Sequence, residues 1–189
     1  MASPAHGLIV QIVQEGFSAA IRSLPTSIRR RVAINSNVQT NNFRGKYEGS
    51  VKFADVRIVF RKQSVEWICE TMFALEVGFS QSYDSLVQDA KLWLEGQPKM
   101  SVVVLIKLEE TPKYQNPILE LTDKELERLG LLDPNEIQSQ DFIVDNRGYL
   151  IYRGLTWVGD ITEAFVEVWR RDPITGLAFQ DGGRTVSCY

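Results

Sequence analysis

Histidine is nearly absent from this chain: His6 is the only one in 189 residues. A Ser-His-Asp triad, a Cys-His pair or a histidine zinc site would have to be built around a residue at a terminus expected to fray. Chemistry is therefore left to carboxylates, lysines and hydroxyls. Cysteine is scarce too. Cys69 and Cys188 are the only two, too few and too far apart for a disulfide framework or a zinc site. Cys69, within Glu66-Trp-Ile-Cys69, reads as a small core residue, and Cys188 as an exposed one. No apolar run approaches the ~20 residues that cross a bilayer, and no basic segment or small-residue cleavage site frames Gly7-Leu-Ile-Val10. The expectation is an intracellular protein, cytoplasmic or nuclear, with no membrane partner. Excess positive charge is missing as well: the net charge is −3, which argues against a nucleic-acid coat protein. The charge is uneven, however. Arg22, Arg29, Arg30, Arg31, Arg44 and Lys46 make the first quarter basic, and 123–141 is acidic.

What is present is a hydrophobic share of 44% and a charged share of 24%, the balance of a soluble globular protein. With no repeat, low-complexity tract or linker, the chain reads as one domain over 1–189, its core about 7–108 and a C-terminal extension about 113–189. Apolar residues at 8, 9, 12, 13, 17, 20, 21 and 24 have helical spacing, and Pro25 ends that helix. Val32 to Phe43 reads as a strand with one polar face, followed by a turn at Gly45 and Gly49. Val51–Phe60 and Trp67–Val77 read as two more strands. Tyr83–Leu94 is helical, capped by Ser82 or Asp84 and stopped at Gly96. Met100–Leu108, rich in β-branched residues, reads as a strand buried on both faces. Thr122-Asp-Lys-Glu125 has the form of a capping box opening a helix through Leu126, Leu129 and Leu132, and Asp133-Pro-Asn135 is a turn. Phe142–Val144, Leu150–Tyr152 and Phe165–Trp169 are later strands, with a loose tail after Gly182-Gly183. The tryptophans 67, 93, 157 and 169 read as core.

Two of these strands each carry one acid among apolar neighbours: Asp55 in Phe53–Phe60 and Glu76 in Phe73–Ser80. An unpaired buried carboxylate is costly. Two at the ends of adjacent strands invite a shared cation, and oxygen-rich acidic sites suit Mg2+ or Mn2+. The plainer reading of Asp55 is a solvated strand-end residue.

The order α-β-β-β-α-β, with an aspartate on the second strand and a glutamate on the third, resembles the core of the PD-(D/E)XK nuclease superfamily. Glu76-Val-Gly-Phe-Ser80-Gln-Ser82-Tyr-Asp-Ser-Leu86, with Lys91-Leu-Trp93-Leu94, looks like a group of fungal proteins of unassigned function with restriction-endonuclease-like folds. The resemblance covers roughly Gly7 to Leu108. It implies an α/β fold with a restriction-endonuclease-like mixed sheet and extra C-terminal strands. It implies Asp55, Glu76 and the Val77 carbonyl as ligands of Mg2+ or Mn2+, and metal-assisted hydrolysis of nucleic acid, DNA rather than RNA. The motif proline is Ala54 here, and the motif lysine is Gly78. Gln81 and Lys91 are the candidate replacements, against plainer readings as a loop residue and a solvent-facing helix lysine. Glu15 is a further acid from the first helix. Arg57, two residues from Asp55 and so on its strand face, would line a nucleic-acid groove, with Arg29, Arg30 and Arg31 outside it. Cutting both strands of a duplex would call for two sites, hence a homodimer. The other reading is a catalytically silent member of the fold that binds a protein partner or DNA.

Overall fold

The computed structural model describes residues 4–62, 68–113, 115–130 and 141–187. Its first element, α1 (Pro4–Arg22), starts earlier than the apolar spacing predicts. Its apolar stripe (Ile9, Val10, Val13, Phe17) packs on one face of the central sheet, with the Phe17 ring edge-on to Phe73 at 5.0 Å. Pro25 precedes the single turn α2 (Thr26–Arg29). The expected strand 32–43 is broken into β1 (Val32–Asn35) and β2 (Val38–Thr40). The break lies at Asn37, whose φ of 52° is a left-handed conformation that Asn tolerates.

Residues 51–60, expected as one strand, are two: β3 (Lys52–Ala54) and β4 (Val56–Lys62). The chain bends at Asp55, and the two halves have different partners. Within a two-stranded sheet, β3 pairs with β2, while β4 joins the central sheet against β1 and β5 (Ile68–Gly78). Ala54 packs in one core cluster and Val56 in the other, so the bend serves both. From β5 the chain crosses through α3 (Tyr83–Gly96) to β6 (Val102–Thr111), which lies parallel to β5. A parallel neighbour needs such a crossover, and the helix covers one sheet face. Ser82 caps α3, its side chain accepting from the Ser85 N–H at 3.3 Å. Ser82→Ala is expected to lower stability by about 1 kcal/mol in a denaturant titration.

The capping box is formed as expected, with the Thr122 N–H donating to Glu125 at 2.9 Å, and opens α4 (Asp123–Leu129). Gly130, at φ 59°, ends this helix. Leu132 and the turn 133–135 lie outside the described residues, as do Trp67 and Cys188. Next, β7 (Ile143–Val144), β8 (Leu150–Tyr152) and β9 (Leu155–Val158) make a small antiparallel sheet. Finally β10 (Asp160–Arg171), β11 (Ala178–Gln180) and β12 (Thr185–Ser187) complete the main one. Its order is β1-β4-β5-β6-β10-β11, with β12 also on β10. The fold is thus mixed α/β, its sheet mostly antiparallel.

One core lies under α3 and gathers Leu86, Ala90, Trp93 and Leu94 with Ala74, Val103, Leu105 and Trp169. The other lies on the α1 side, around Val56, Leu75, Val77 and Phe79. Two expectations fail here. Cys69 is exposed, because it sits at the outer start of β5 rather than in either core. Within the tail after Gly183, Thr185–Ser187 form a strand, β12, fastened by Arg184. The Arg184 guanidinium lies 3.6 Å from the Phe165 ring centroid, and its Nε donates to Glu167 at 3.0 Å. Glu167 is buried and also accepts from the Tyr83 hydroxyl at 2.9 Å and from Trp169 Nε1 at 3.1 Å.

Candidate active site

Asp55 and Glu76 come together where the bend between β3 and β4 meets the end of β5. Val56 pairs with Leu75, so Asp55 lies one step along, beside Glu76 and Val77. Its Oδ2 accepts the Val77 N–H at 2.7 Å, and its Oδ1 faces His6 Nε2 at 3.1 Å. Val77 therefore presents its N–H, not its carbonyl, to Asp55. His6 is a correction: it is not frayed away from the chemistry but belongs to α1, which is held to the sheet by its apolar stripe.

Glu76 is 4% exposed. Its Oε1 accepts from Trp93 Nε1 at 2.6 Å, so the fully buried tryptophan of α3 is both core and polar anchor. Its Oε2 lies 3.5 Å from Lys52 Nζ. Burial pushes the Glu76 carboxyl up to about 8; Lys52 and Trp93 pull it down, while Asp55 and Asp89 push it higher. Lys52 also reaches Asp89 Oδ2 at 2.7 Å. Burial works against its ammonium, yet Glu76 and Asp89 outweigh burial and raise its pKa above the ordinary value.

Gln81 joins the same network, its Nε2 donating to Asp89 Oδ2 at 2.7 Å and to Ser85 Oγ at 2.9 Å. The site is thus a chain of contacts, Gln81–Asp89–Lys52–Glu76–Trp93, with Asp55 and His6 beside it. Lys52, Asp89 and His6 have no place in the sequence motif. Lys52 is three residues before Asp55, and only the bend folds it back over Glu76.

Gly78 stands where the motif has lysine, and the space is taken. A Cβ there would lie 3.0 Å from Leu86 Cδ2 and 3.2 Å from Lys107 Cδ. Lys107 is buried, its ammonium donating to the Leu108 carbonyl at 2.7 Å and the Phe79 carbonyl at 3.3 Å, and pairing with Glu109 at 3.1 Å.

The remaining candidates are scattered. Lys91 lies two residues from Asp89 on α3, about 200° around the helix, and among the described residues its side chain enters no hydrogen bond or ion pair. Glu15 is exposed and accepts from Gln11 on its own helix at 3.0 Å. Arg57 pairs in register with Ala74 of the α3 core. The bend at Asp55 breaks the alternation that would have put both on one strand face. Arg57 donates to Thr40 Oγ1 at 3.0 Å, and burial lowers its pKa. Its Nε is buried without a partner among the described residues. Arg29, Arg30 and Arg31 lie at the far end of β4: Arg31 accepts from the Arg61 N–H, six residues or roughly 20 Å of strand from Asp55.

Asp55 and Glu76 pass one test for a divalent ion. Each has one oxygen fixed by a neutral N–H donor, Val77 or Trp93, and the other facing a nitrogen side chain, His6 or Lys52. Metal-ligating carboxylates are commonly held in this way by a second layer of hydrogen bonds. Among the described residues no group of three or more His, Cys, Asp or Glu could hold a metal ion. An ion would therefore rest on these two carboxylates with water or substrate completing its shell, the usual arrangement for magnesium. No family model, no curated protein and no solved structure matches the chain.

Proposed function

We propose that this protein is a metal-dependent phosphodiesterase acting on nucleic acid, DNA before RNA, through a restriction-endonuclease-like core. The observation that carries the reading is that Asp55 and Glu76 lie beside each other at the end of β5, each with one oxygen held by an N–H donor and the other facing His6 or Lys52. The run α1, β1, β4, β5, α3, β6, with β5 and β6 parallel, supports the fold assignment. Asp55 and Glu76 would hold Mg2+ or Mn2+. The ion, when bound, supplies Lewis-acid neutralisation of charge on the phosphoryl oxygens.

The chain's own residues divide the remaining work. Lys52 provides the cation missing at Gly78, its flexible stem letting the ammonium turn from Glu76 toward a substrate phosphate. Asp89, itself held by Gln81, keeps Lys52 over the site. Trp93 and the Val77 N–H hold the two acids in orientation.

A catalytically silent binding module is the second reading. It is favoured by one observation: with its carboxyl pushed up to about 8, Glu76 is largely protonated at neutral pH. Calorimetry with Mn2+ and cleavage of plasmid and single-stranded DNA separate the two. Wild type is expected to bind the ion and cut. Glu76→Gln is expected to lose binding. Lys52→Met should lower turnover about 100-fold or more with the ion still bound. A wild type that neither binds nor cuts at pH 8.5, where Glu76 is mostly ionised, would overturn the enzymatic reading.

A further inference from the structure

The end of the sheet opposite Asp55 and Glu76 carries a cluster of cations drawn from three separated segments. Arg22 closes α1, Arg29 to Arg31 follow on α2 and its exit, and Arg61 and Lys62 end β4. The Arg61 N–H donates to the Arg31 carbonyl at 2.6 Å, and Arg29 Nη1 reaches the Arg22 carbonyl at 3.4 Å, so the segments are in contact. All six side chains are exposed. Among the described residues none of them enters an ion pair. The acid facing them on the ladder is Glu70, half-buried opposite Phe60. In a chain whose net charge is −3, six unpaired cations in one place are a local reversal of sign.

We propose that this rim is a binding surface for the phosphate backbone of a nucleic acid, separate from the acidic centre and holding the strand that the centre works on. The identity of the polyanion rests on the proposed function; the surface itself does not. Three observations favour a nucleic acid over another polyanion. Five of the six cations are arginines, whose planar fork matches phosphate oxygens. Arg61 and Lys62 are consecutive in a strand and so point to opposite faces. The cations therefore wrap an edge, as a strand of phosphates can follow and a flat bilayer surface cannot. The roughly 20 Å from Asp55 to Arg61 along β4 also matches about six base pairs of duplex rise. One nucleic acid can span both places.

The test is fluorescence anisotropy of the full chain with a labelled 20-nucleotide single strand and its duplex, in EDTA, over a range of salt. Wild type is expected to bind with a log–log salt slope of about −3 to −5. The triple variant Arg30→Gln, Arg31→Gln, Arg61→Gln should bind at least 10-fold more weakly, with the slope reduced by about 2. Its melting curve should match wild type, since all three side chains are exposed. Wild-type affinity and slope in the triple variant would overturn the proposal. So would binding to phosphatidylserine vesicles without binding to DNA, which would make the rim a membrane contact for which exposed Leu24 and Ile28 supply apolar anchors. Retained DNA binding with no cleavage in Mn2+ would instead remove the phosphodiesterase reading and leave the rim standing.

Discussion

Arg184→Met is expected to destabilise the protein by about 3 kcal/mol, a fall of roughly 6–12 °C in Tm for a domain of this size. The reason is the carboxylate left behind. Glu167 is 1% exposed and is held by three donors, of which Arg184 alone is charged. Removing the guanidinium leaves a buried charge supported only by a phenol and an indole. Stacking on Phe165 and on Tyr83, 5.0 Å away, is lost as well, and with it the fastening of β12 to β10. The double variant Arg184→Met, Glu167→Leu should recover much of the loss, because the buried charge is then absent. Denaturant titrations of the two single variants and the double give the coupling. Additive losses would show that Arg184 acts by packing alone.

The second large effect lies in the pH dependence of stability. Glu76 has an ordinary value of 4.5 and is pushed up to about 8 in the folded protein. The folded state therefore holds this proton more tightly than the unfolded state does. The resulting contribution is complete below about pH 4.5, declines as pH rises toward 8 and is gone above it. The decline from this one group is on the order of 5 kcal/mol. Glu76→Gln, which does not titrate, should remove that part of the profile and be more stable than wild type at pH 9. The groups facing Glu76 are Lys52 from β3, Asp55 from the bend, and Asp89 and Trp93 from α3, so Lys52→Met should extend the decline to higher pH. A wild-type profile that is flat between pH 5 and 8, by urea titration at each pH, would contradict the burial argument.

Much of the framework is legible in the sequence because it follows from local rules. Helical spacing in α1 and α3, the Ser82 cap, the Thr122 capping box and the β-branched run of β6 are all set by residues close in sequence. The bend at Asp55 is not local. It exists because a carboxylate finds the N–H of Val77, 22 residues later, and alternation alone reads straight through it. The same applies to the site. Asp55 and Glu76 are visible as acids in apolar surroundings, and Gln81 as a polar residue near the helix start. Lys52, Asp89 and His6 look like ordinary surface residues until β3 folds back over the sheet and α1 docks on it. Glu167 is hidden in another way: the last of three acids in β10, a strand of alternating polarity, it passes as solvent-facing until Tyr83 and Arg184 arrive from distant segments. Lys91 shows the converse, being suggestive by spacing but on the wrong side of α3.

The filled volume beside Gly78 also bears on how this chain could change. A lysine placed there would meet Leu86 Cδ2 and Lys107 Cδ at its first side-chain atom. Both neighbours are committed elsewhere, Leu86 to the α3 core and Lys107 to two carbonyls and a carboxylate. A side chain at position 78 therefore requires both neighbours to give way by a few tenths of an ångström. Among the described residues Lys52 is the one whose ammonium reaches Glu76, so a change of cation beside this carboxylate acts first through position 52.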